Sequence, residues 1–246
     1  LDNYSINLED LKKKINKKTK VIIPVHLYGY PSDMLSIKKI ANKYKIKIIE
    51  DCAQAHGAKI NNRHVGTWGE FGTFSFYPGK NLGAFGDGGC IITNNKKYAD
   101  FCKRIKNHGS LKKYDHKVVG RNSRLDTIQS AVLSLRLAEY RKAQKKRNLI
   151  AKVYQNELKD ITELKLPKIN NNISSAYHQY VIRTFKRNKL REYLKRKKID
   201  TMLHYPYMLS ELSIFKNASG IKNLINAKNL GKKILSLPIS EEHSLK

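Results

Sequence analysis

Cysteine is scarce in this chain, long apolar runs are missing, and acidic residues are outnumbered more than twofold by basic ones. The three cysteines, Cys52, Cys90 and Cys102, are odd in number and widely spaced. That excludes a disulfide framework, and a reducing, cytoplasmic setting is the simpler expectation. Apolar runs such as VIIPV at 21–25 fall far short of the roughly 20 residues that a membrane-spanning helix needs. No secretory leader is legible, and because the chain opens on Leu1 rather than Met, residues upstream are expected. Internal repeats and low-complexity blocks are missing too, beyond a general richness in lysine.

Only 20 Asp and Glu stand against 49 Lys and Arg, a formal net charge of +29. Such an excess can mark a nucleic-acid binder. Its arrangement argues against one. The cations are mostly lysines spread through segments such as LKKKINKKTK, RKAQKKRN and LKRKKID. No zinc-finger spacing and no RNA-binding aromatic strand accompanies them. They read as a solvated surface with a weak attraction for anionic ligands. With 246 residues and 40% hydrophobic content, the chain can build a real core in one large or two modest domains.

What is present reads as an α/β scaffold. Residues 5–18 form a basic helix with Ile6, Leu8, Leu11 and Ile15 inward. VIIPVHLYG at 21–29 reads as a buried strand. Pro31 and Ser32 open a helix whose Ile37, Ile40, Ala41 and Tyr44 share one stripe. KIKIIED at 45–51 is a second buried strand. Strand, helix and strand in this order predict a parallel pair with a right-handed crossover. Further strands are expected at 72–78 and 89–95, then a helix over 96–107. Leu125, Ile128, Val132 and Leu135 begin a long helix that runs with interruptions towards Leu158. After Pro167 a smaller α+β lobe follows: a strand over 174–185, a helix over 188–199 and a helix over 221–235. The expected division is a large domain at 1–140 and a connector helix with a small domain at 141–246.

Two residues carry the chemistry. Asp51 ends a predicted parallel strand, and ligands of open α/β sheets bind outside such carboxyl ends. Lys80 sits in SFYPGKNLGAFGDGG, between aromatic residues and a run of glycines that lets backbone approach a ligand. A lysine in a partly apolar pocket sheds its proton more readily, and only the neutral amine forms a Schiff base. A pyridoxal cofactor needs such a lysine together with a carboxylate at its ring nitrogen. Competing motifs fail. A phosphate-binding Walker loop needs Gly at 74 and Ser or Thr at 81, where Phe74 and Asn81 stand. Gly83, Gly86, Gly88 and Gly89 lack dinucleotide-fingerprint spacing. Thr73 and Tyr77 replace the glycines a nucleophile elbow around Ser75 needs. Cys52, His56 and His64 lack a fourth ligand and a recognised spacing, so no metal is expected. His26, Tyr28 and Trp68 read as packing or capping residues.

PVHLYGYPSDM, IIEDCAQAHGA, GTFSFYPGKNLGAFGDGG and GRNSRLDTIQSA, with SAYHQYVIR and LHYP more weakly, resemble the DegT/DnrJ/EryC1/StrS family of sugar aminotransferases. The resemblance implies a fold-type I architecture: a mostly parallel central sheet and a small α+β carboxy-terminal lobe. It implies pyridoxal 5'-phosphate as cofactor and a homodimer with shared active sites. It implies an amino-acid donor, L-glutamate, and a nucleotide-linked keto sugar as acceptor, in surface polysaccharide or glycan biosynthesis. Carried over by position, Lys80 is similar to the Schiff-base lysine and Asp51 to the partner of the ring nitrogen. Gln54 matches the group near the ring hydroxyl, and Ser75 a phosphate contact. Asn122 matches a residue reaching the neighbouring subunit's cofactor phosphate, and His204 a substrate contact from the small lobe. NSRLDTIQ looks more like members that aminate the sugar's 3-position. In sugar dehydratases of the family histidine replaces the lysine, so Lys80 argues against that branch. The family also carries a stretch before the position of Leu1, with a helix start for the phosphate and an aromatic over the ring. The chain is therefore expected to be a fragment that binds cofactor poorly alone, with a basic binding protein as the alternative reading.

Overall fold

A computed structural model describes residues 4–168, 170–215 and 224–243. They fall into two compact units, one built from Asn3–Gln144 with Asn170–His178, the other from Lys145–Ile169 and Gln179–Lys246.

The first unit opens with α1 (Leu8–Lys14), capped by Asn7, whose side chain accepts the Asp10 N–H. β1 covers only Val21–Ile22 of the expected strand over 21–29. Pro24 has no N–H to give, so the regular ladder stops there. Pairing nevertheless continues around it: the Asp51 N–H donates to the Pro24 carbonyl at 2.9 Å, and the His26 N–H to the Asp51 carbonyl at 3.0 Å. The chain then tightens into a short turn over Leu27–Gly29, with Tyr28 at φ 60°. α2 (Met34–Tyr44) follows, capped by Asp33 and closed by Lys45 in the left-handed region. Met34, Ile37, Ile40 and Ala41 are buried, as the periodicity predicts, but Tyr44 is exposed. β2 (Lys47–Asp51) pairs parallel with β1.

A small hairpin, β3 (Lys59–Ile60) and β4 (Arg63–His64), precedes β5 (Phe71–Ser75), which is parallel to β2 with Asp51 opposite Thr73. β6 (Gly89–Ile92) returns antiparallel to β5. The sheet order is β1-β2-β5-β6, three parallel strands and one antiparallel edge. Ile22, Met34, Ile37, Ile46, Ile48 and Trp68 form the core on one face of the sheet. Each such side chain contributes roughly 1.5–3 kcal/mol. α3 (Lys96–Ile105) and the hairpin β7 (Ser110–Lys112) and β8 (Asp115–His116) follow.

α4 (Thr127–Leu158) is continuous over 32 residues, without the interruptions expected, and runs from the first unit into the sequence of the second. No helix among the described residues is long and apolar enough to cross a membrane.

The segment 174–185 is not one strand. β9 (Ile173–Ser174) pairs with β3 in the first unit. The next residues are pulled onto the Tyr28–Gly29 turn: the Ala176 N–H and the Ser175 hydroxyl both donate to the Gly29 carbonyl, at 2.9 and 3.0 Å. Tyr177 at φ 43° ends the extended run. Only β10 (Tyr180–Arg183) continues, in the second unit, antiparallel to β11 (Ile234–Leu237). There, α5 (Arg187–Arg196) and α6 (Ile225–Gly231) supply the helices. The helix expected over 221–235 is thus shorter: 221–223 lie outside the described residues, and Ile234 and Leu235 belong to β11. All four residues of β11 are buried, so its apolar run serves a strand with two covered faces. Within this unit the Tyr154 hydroxyl donates to the Pro238 carbonyl at 2.8 Å, and its ring lies 4.8 Å from that of Tyr180.

Candidate functional site

The carboxyl ends of β2 and β5 lie side by side and carry the candidate residues. Successive side chains of a strand point to opposite faces, and Glu50 and Asp51 use both.

Glu50 points into the protein and is fully buried. One carboxylate oxygen accepts the Trp68 and Gly69 N–H groups at 2.6 and 2.8 Å. The other accepts the Gly66 N–H at 2.8 Å and faces His26 Nε2 at 3.1 Å. His26 Nδ1 takes the Ser32 N–H at 3.0 Å. Nδ1 is therefore the bare nitrogen, and Nε2 carries the hydrogen given to Glu50. Burial pushes the Glu50 carboxyl upward, but the His26, Gly69 and Gly66 hydrogen bonds outweigh it and hold the group below the usual range. This carboxylate ties the turn 66–69 to the sheet. Gly72 permits the close fit, since a Cβ there would lie 2.4 Å from the Gly66 Cα.

Asp51 points the other way and is half-buried. Its backbone is held by neighbours on both sides, and one carboxylate oxygen accepts the Ala53 N–H at 3.0 Å. Across from it stands Lys80, at the tip of the loop after β5. Burial lowers the Lys80 pKa, and the nearby Asp51 carboxylate opposes that shift. The two groups expected to converge are near enough for the Asp51 charge to act on Lys80.

The lysine loop is clamped at several points. The Lys80 N–H donates to the Tyr77 carbonyl, and the Ala84 N–H to the Phe76 carbonyl at 2.7 Å. From α4, Gln129 accepts the Phe85 N–H at 2.8 Å and Arg136 donates to the Gly83 carbonyl at 2.9 Å. Asn81, beside the lysine, is 8% exposed; its amide donates to the Ala176 carbonyl at 2.7 Å and its oxygen faces His178 Nδ1 at 3.0 Å. The glycine-rich stretch is thus a fixed loop. Sequence reasoning missed Asn81, Gln129 and Arg136 because their partners lie about 50 to 100 residues away along the chain.

The other expected residues are placed as follows. Gln54 is nearly buried in the turn after Asp51, and its side-chain oxygen accepts the Tyr28 N–H at 2.6 Å. Ser75 ends β5, its hydroxyl accepting the Tyr77 N–H at 3.3 Å. Asn122 is exposed on a separate loop, bridged to Asn107 and accepting from Arg124 Nε at 3.1 Å. No hydrogen bond joins Asn122 to Lys80 or Asp51 among the described residues. His204 lies in the second unit, with Nδ1 2.8 Å from the Ser236 hydroxyl.

Cys52, His56 and His64 do not share a site: His64 is on the exposed β4, and Cys52 sits with His26 and Glu50, all within 4.8 Å by their ligand-type atoms. That buried cluster is a poor cation site. The His26 and Glu50 atoms are already hydrogen-bonded, and burial, helped by the Glu50 and Asp51 charges, pushes the Cys52 thiol far up.

A family model described as the DegT/DnrJ/EryC1/StrS aminotransferase family matches residues 1–246. The chain is 37% identical over 230 residues to a Streptomyces venezuelae protein named dTDP-3-amino-3,4,6-trideoxy-alpha-D-glucose transaminase, covering 93% of this chain and 61% of that one. It is 42% identical over 243 residues to a Geobacillus stearothermophilus protein named pleiotropic regulatory protein, covering 97% of this chain and 65% of the relative. The crystal structure of S. venezuelae DesV in complex with a ketimine intermediate superposes with a TM-score of 0.95 at 36% identity, covering 99% of this chain and 66% of DesV. The chain therefore spans less than two thirds of the length of these relatives.

Proposed function

Because the chain belongs to the DegT/DnrJ/EryC1/StrS aminotransferase family, we propose that it acts as a pyridoxal-phosphate-dependent aminotransferase on a nucleotide-linked keto sugar. The donor in this reading is an amino acid, L-glutamate, and the position aminated is C3 of the sugar. The 3-amino sugar in the name of the S. venezuelae relative supports that position. The product would enter surface polysaccharide or glycan biosynthesis.

One observation supports the reading: burial lowers the Lys80 pKa, and the Asp51 carboxylate is near enough to act against that shift. That pair fits a flat ring with a carbonyl at one end and a basic nitrogen at the other. The cofactor, when bound, supplies a carbonyl for an amine and an electron-accepting ring. Lys80 Nζ would bond it, and Asp51 would keep its ring nitrogen protonated. The Ser75 hydroxyl would hold its phosphate, and Gln54 would stand by its ring hydroxyl. Asn122, exposed on its own loop, suits a contact to the phosphate in a second copy, as a homodimer requires. His204 would meet the sugar.

With the cofactor held there, Lys80 Nζ would be the group that takes and returns a proton at the donor's α-carbon. A positioned amine of this kind contributes about 10²–10⁴ in rate. Burial keeps more of it uncharged at neutral pH than an exposed lysine would be. The net charge of +29 favours the approach of a nucleotide diphosphate.

The test is direct. Pyridoxal phosphate added to the chain should give a visible absorption band, and borohydride should fix the cofactor to Lys80, identified by peptide mapping. Lys80→Ala should lose both. Fixation to another lysine, or a band that survives Lys80→Ala, would overturn the assignment. Salt-sensitive retention on DNA without any band would favour the basic-binder reading that the net charge allows.

A further inference from the structure

Residues 175–178 supply none of the groups proposed to touch cofactor or sugar, yet they bond to both loops that do. They belong to the first unit, as Gln54 and Lys80 do. Ser175 and Ala176 are buried, and Gln144 from α4 donates to the Ala176 carbonyl at 3.2 Å. On one side lies the turn of Tyr28 and Gly29. The Gln54 side-chain oxygen takes the Tyr28 N–H at 2.6 Å. The Gly29 carbonyl takes the Ala176 N–H at 2.9 Å and the Ser175 hydroxyl at 3.0 Å. Gly29, at φ 89°, is wedged between the two partners: a Cβ there would lie 2.9 Å from the Gln54 carbonyl oxygen and 3.0 Å from the His178 backbone nitrogen. On the other side stands Asn81, the residue after Lys80.

The partners of Asn81 fix which way round its amide stands. The Ala176 carbonyl can only accept, so the amide nitrogen faces it, at 2.7 Å. The amide oxygen is left to His178, whose Nδ1 lies 3.0 Å away. That oxygen also can only accept, so His178 Nδ1 carries the hydrogen. Asn81 is 8% exposed, and a buried amide oxygen stripped of its donor costs more than the bond itself contributes. His178 therefore holds Asn81 in one orientation. One residue earlier, the Lys80 N–H donates to the Tyr77 carbonyl at 2.9 Å. The lysine's backbone is thus held from both sides, while its long side chain keeps its own rotamers.

We propose that His178 is a positioning residue for Lys80, acting through Asn81: its Nδ1–H locks the Asn81 amide, and the locked amide holds the lysine's backbone in register with the turn that carries Gln54. The proposal rests on the reading of Lys80 as the reacting amine. In that reading Lys80 and Gln54 meet one flat ring, whose size dictates the spacing between them. A misplacement of about 1 Å in such an arrangement can cost about a hundredfold in rate. Residues 175–178 carry that spacing, because they bond to the Gln54 turn through Gly29 and to the lysine loop through Asn81. The lock also keeps the amine where burial lowers its basicity. A loop released from Asn81 would let the lysine turn to water and hold its proton more tightly.

The experiment uses the full chain, first without cofactor. Lys80 is acylated with a small amine-specific reagent across a pH series, and its extent of reaction is read by mass spectrometry. His178→Phe keeps a ring but has no donor, and should raise the pH midpoint of Lys80 towards that of an ordinary lysine. Attachment of added pyridoxal phosphate to Lys80, fixed by borohydride, should slow about tenfold, roughly the weight of one hydrogen bond. His178→Asn, whose amide nitrogen can stand close to the place of Nδ1, should recover at least half of both effects. In an Asn81→Ala chain, His178→Phe should add less than about a twofold change, since the link is already cut. A packing role would lower stability and leave the midpoint in place. An unmoved midpoint in His178→Phe, no recovery with asparagine, or an undiminished effect without Asn81 would overturn the proposal. Should His178→Phe fail to fold, the ring nitrogen resonances of His178 in the wild-type chain decide: a hydrogen on Nδ1 supports the lock, and a bare Nδ1 overturns it. If the midpoint moves as expected while pyridoxal phosphate attaches to another lysine, the proposed activity fails and the positioning stands. Attachment at Lys80 with an unmoved midpoint leaves the activity standing and overturns the positioning.

Discussion

Replacing Glu50 by glutamine changes one atom, yet should cost the fold a large part of its margin. The carboxylate accepts two N–H groups on one oxygen and a third N–H plus the His26 ring on the other. Glutamine keeps one oxygen and turns the other into an NH₂ that faces two donors. His26 cannot adapt by switching tautomer, because the Ser32 N–H occupies its other nitrogen. Two buried donors are thus stranded, at about 1–3 kcal/mol each. Relief from burying a charge offsets part of this, so a net loss of about 3 kcal/mol is expected. Typical domains have only about 5–15 kcal/mol in all. Urea unfolding at pH 7 would show it as a lower midpoint with an unchanged slope. Glu139→Gln, at a side chain 72% exposed, is the control and should stay within about 0.5 kcal/mol of wild type. The pH dependence has a definite sign. The folded pKa of Glu50 lies below the ordinary carboxylate value, so its contribution is present above that ordinary value and fades as the pH falls through the folded one. The difference between wild type and Glu50→Gln should therefore shrink in acid. A loss below about 1 kcal/mol at pH 7 would refute the argument that this carboxylate holds the turn to the sheet.

Three further outcomes can be checked. His56 is buried uncharged, with its pKa pressed from 6.5 to about 4, so stability should fall by about 3 kcal/mol as the pH drops across that range; His56→Phe should flatten the fall, and parallel urea-midpoint curves for the two proteins would count against it. Gly72→Ala would drive a Cβ to 2.4 Å from the Gly66 Cα, backbone that cannot step aside, so a loss of more than about 2 kcal/mol in thermal or urea unfolding is expected and a neutral result would mean the turn is looser than drawn. Asn81→Ala removes two partners from the Lys80 loop, with about 2 kcal/mol lost, and should speed protease cleavage at 78–86; unchanged cleavage would show that the loop is held without it.

What was legible in the residues was whatever repeats locally. The stripe Ile37, Ile40, Ala41 announced α2, and the apolar run before Asp51 announced β2. That Asp51 and Lys80 suit one ligand was an expectation from chemistry, a lone lysine among aromatics and a carboxylate at a strand end, and the structure brings them near enough for the Asp51 charge to act on the lysine. Tertiary context decided the rest. Pro24 looked like part of a strand because its neighbours are apolar, but the missing N–H left β1 two residues long. The run 174–185 looked like one strand because alternation cannot show a turn captured by the distant Gly29 carbonyl. Apolar residues at the end of the expected last helix fit a helix or a covered strand equally well, and pairing with β10 settled β11. His56 was weighed only as a metal ligand. Its burial against Phe74 and Phe76 is a property of packing that no local pattern records.

The alternation of a single strand explains why structure and chemistry sit so close together. Glu50 and Asp51 are adjacent, and the pleat sends one carboxylate into the protein and the other to the opposite face of the sheet. The inner one is saturated with donors and serves as a rivet. The outer one has a backbone fixed on both flanks, by the Pro24 and His26 pairing and by β5, while its charge still acts on Lys80. An Asp51 carboxylate on a loose loop could collapse onto the lysine as an ordinary ion pair, and the amine would then regain the basicity that burial removes. A rigid strand prevents this: Asp51 raises the Lys80 pKa without cancelling the effect of burial, and no ion pair joins the two at contact distance among the described residues. The rivet at Glu50 is therefore a condition for that balance. A change that loosened it should shift the Lys80 titration even though no atom of Glu50 reaches the lysine.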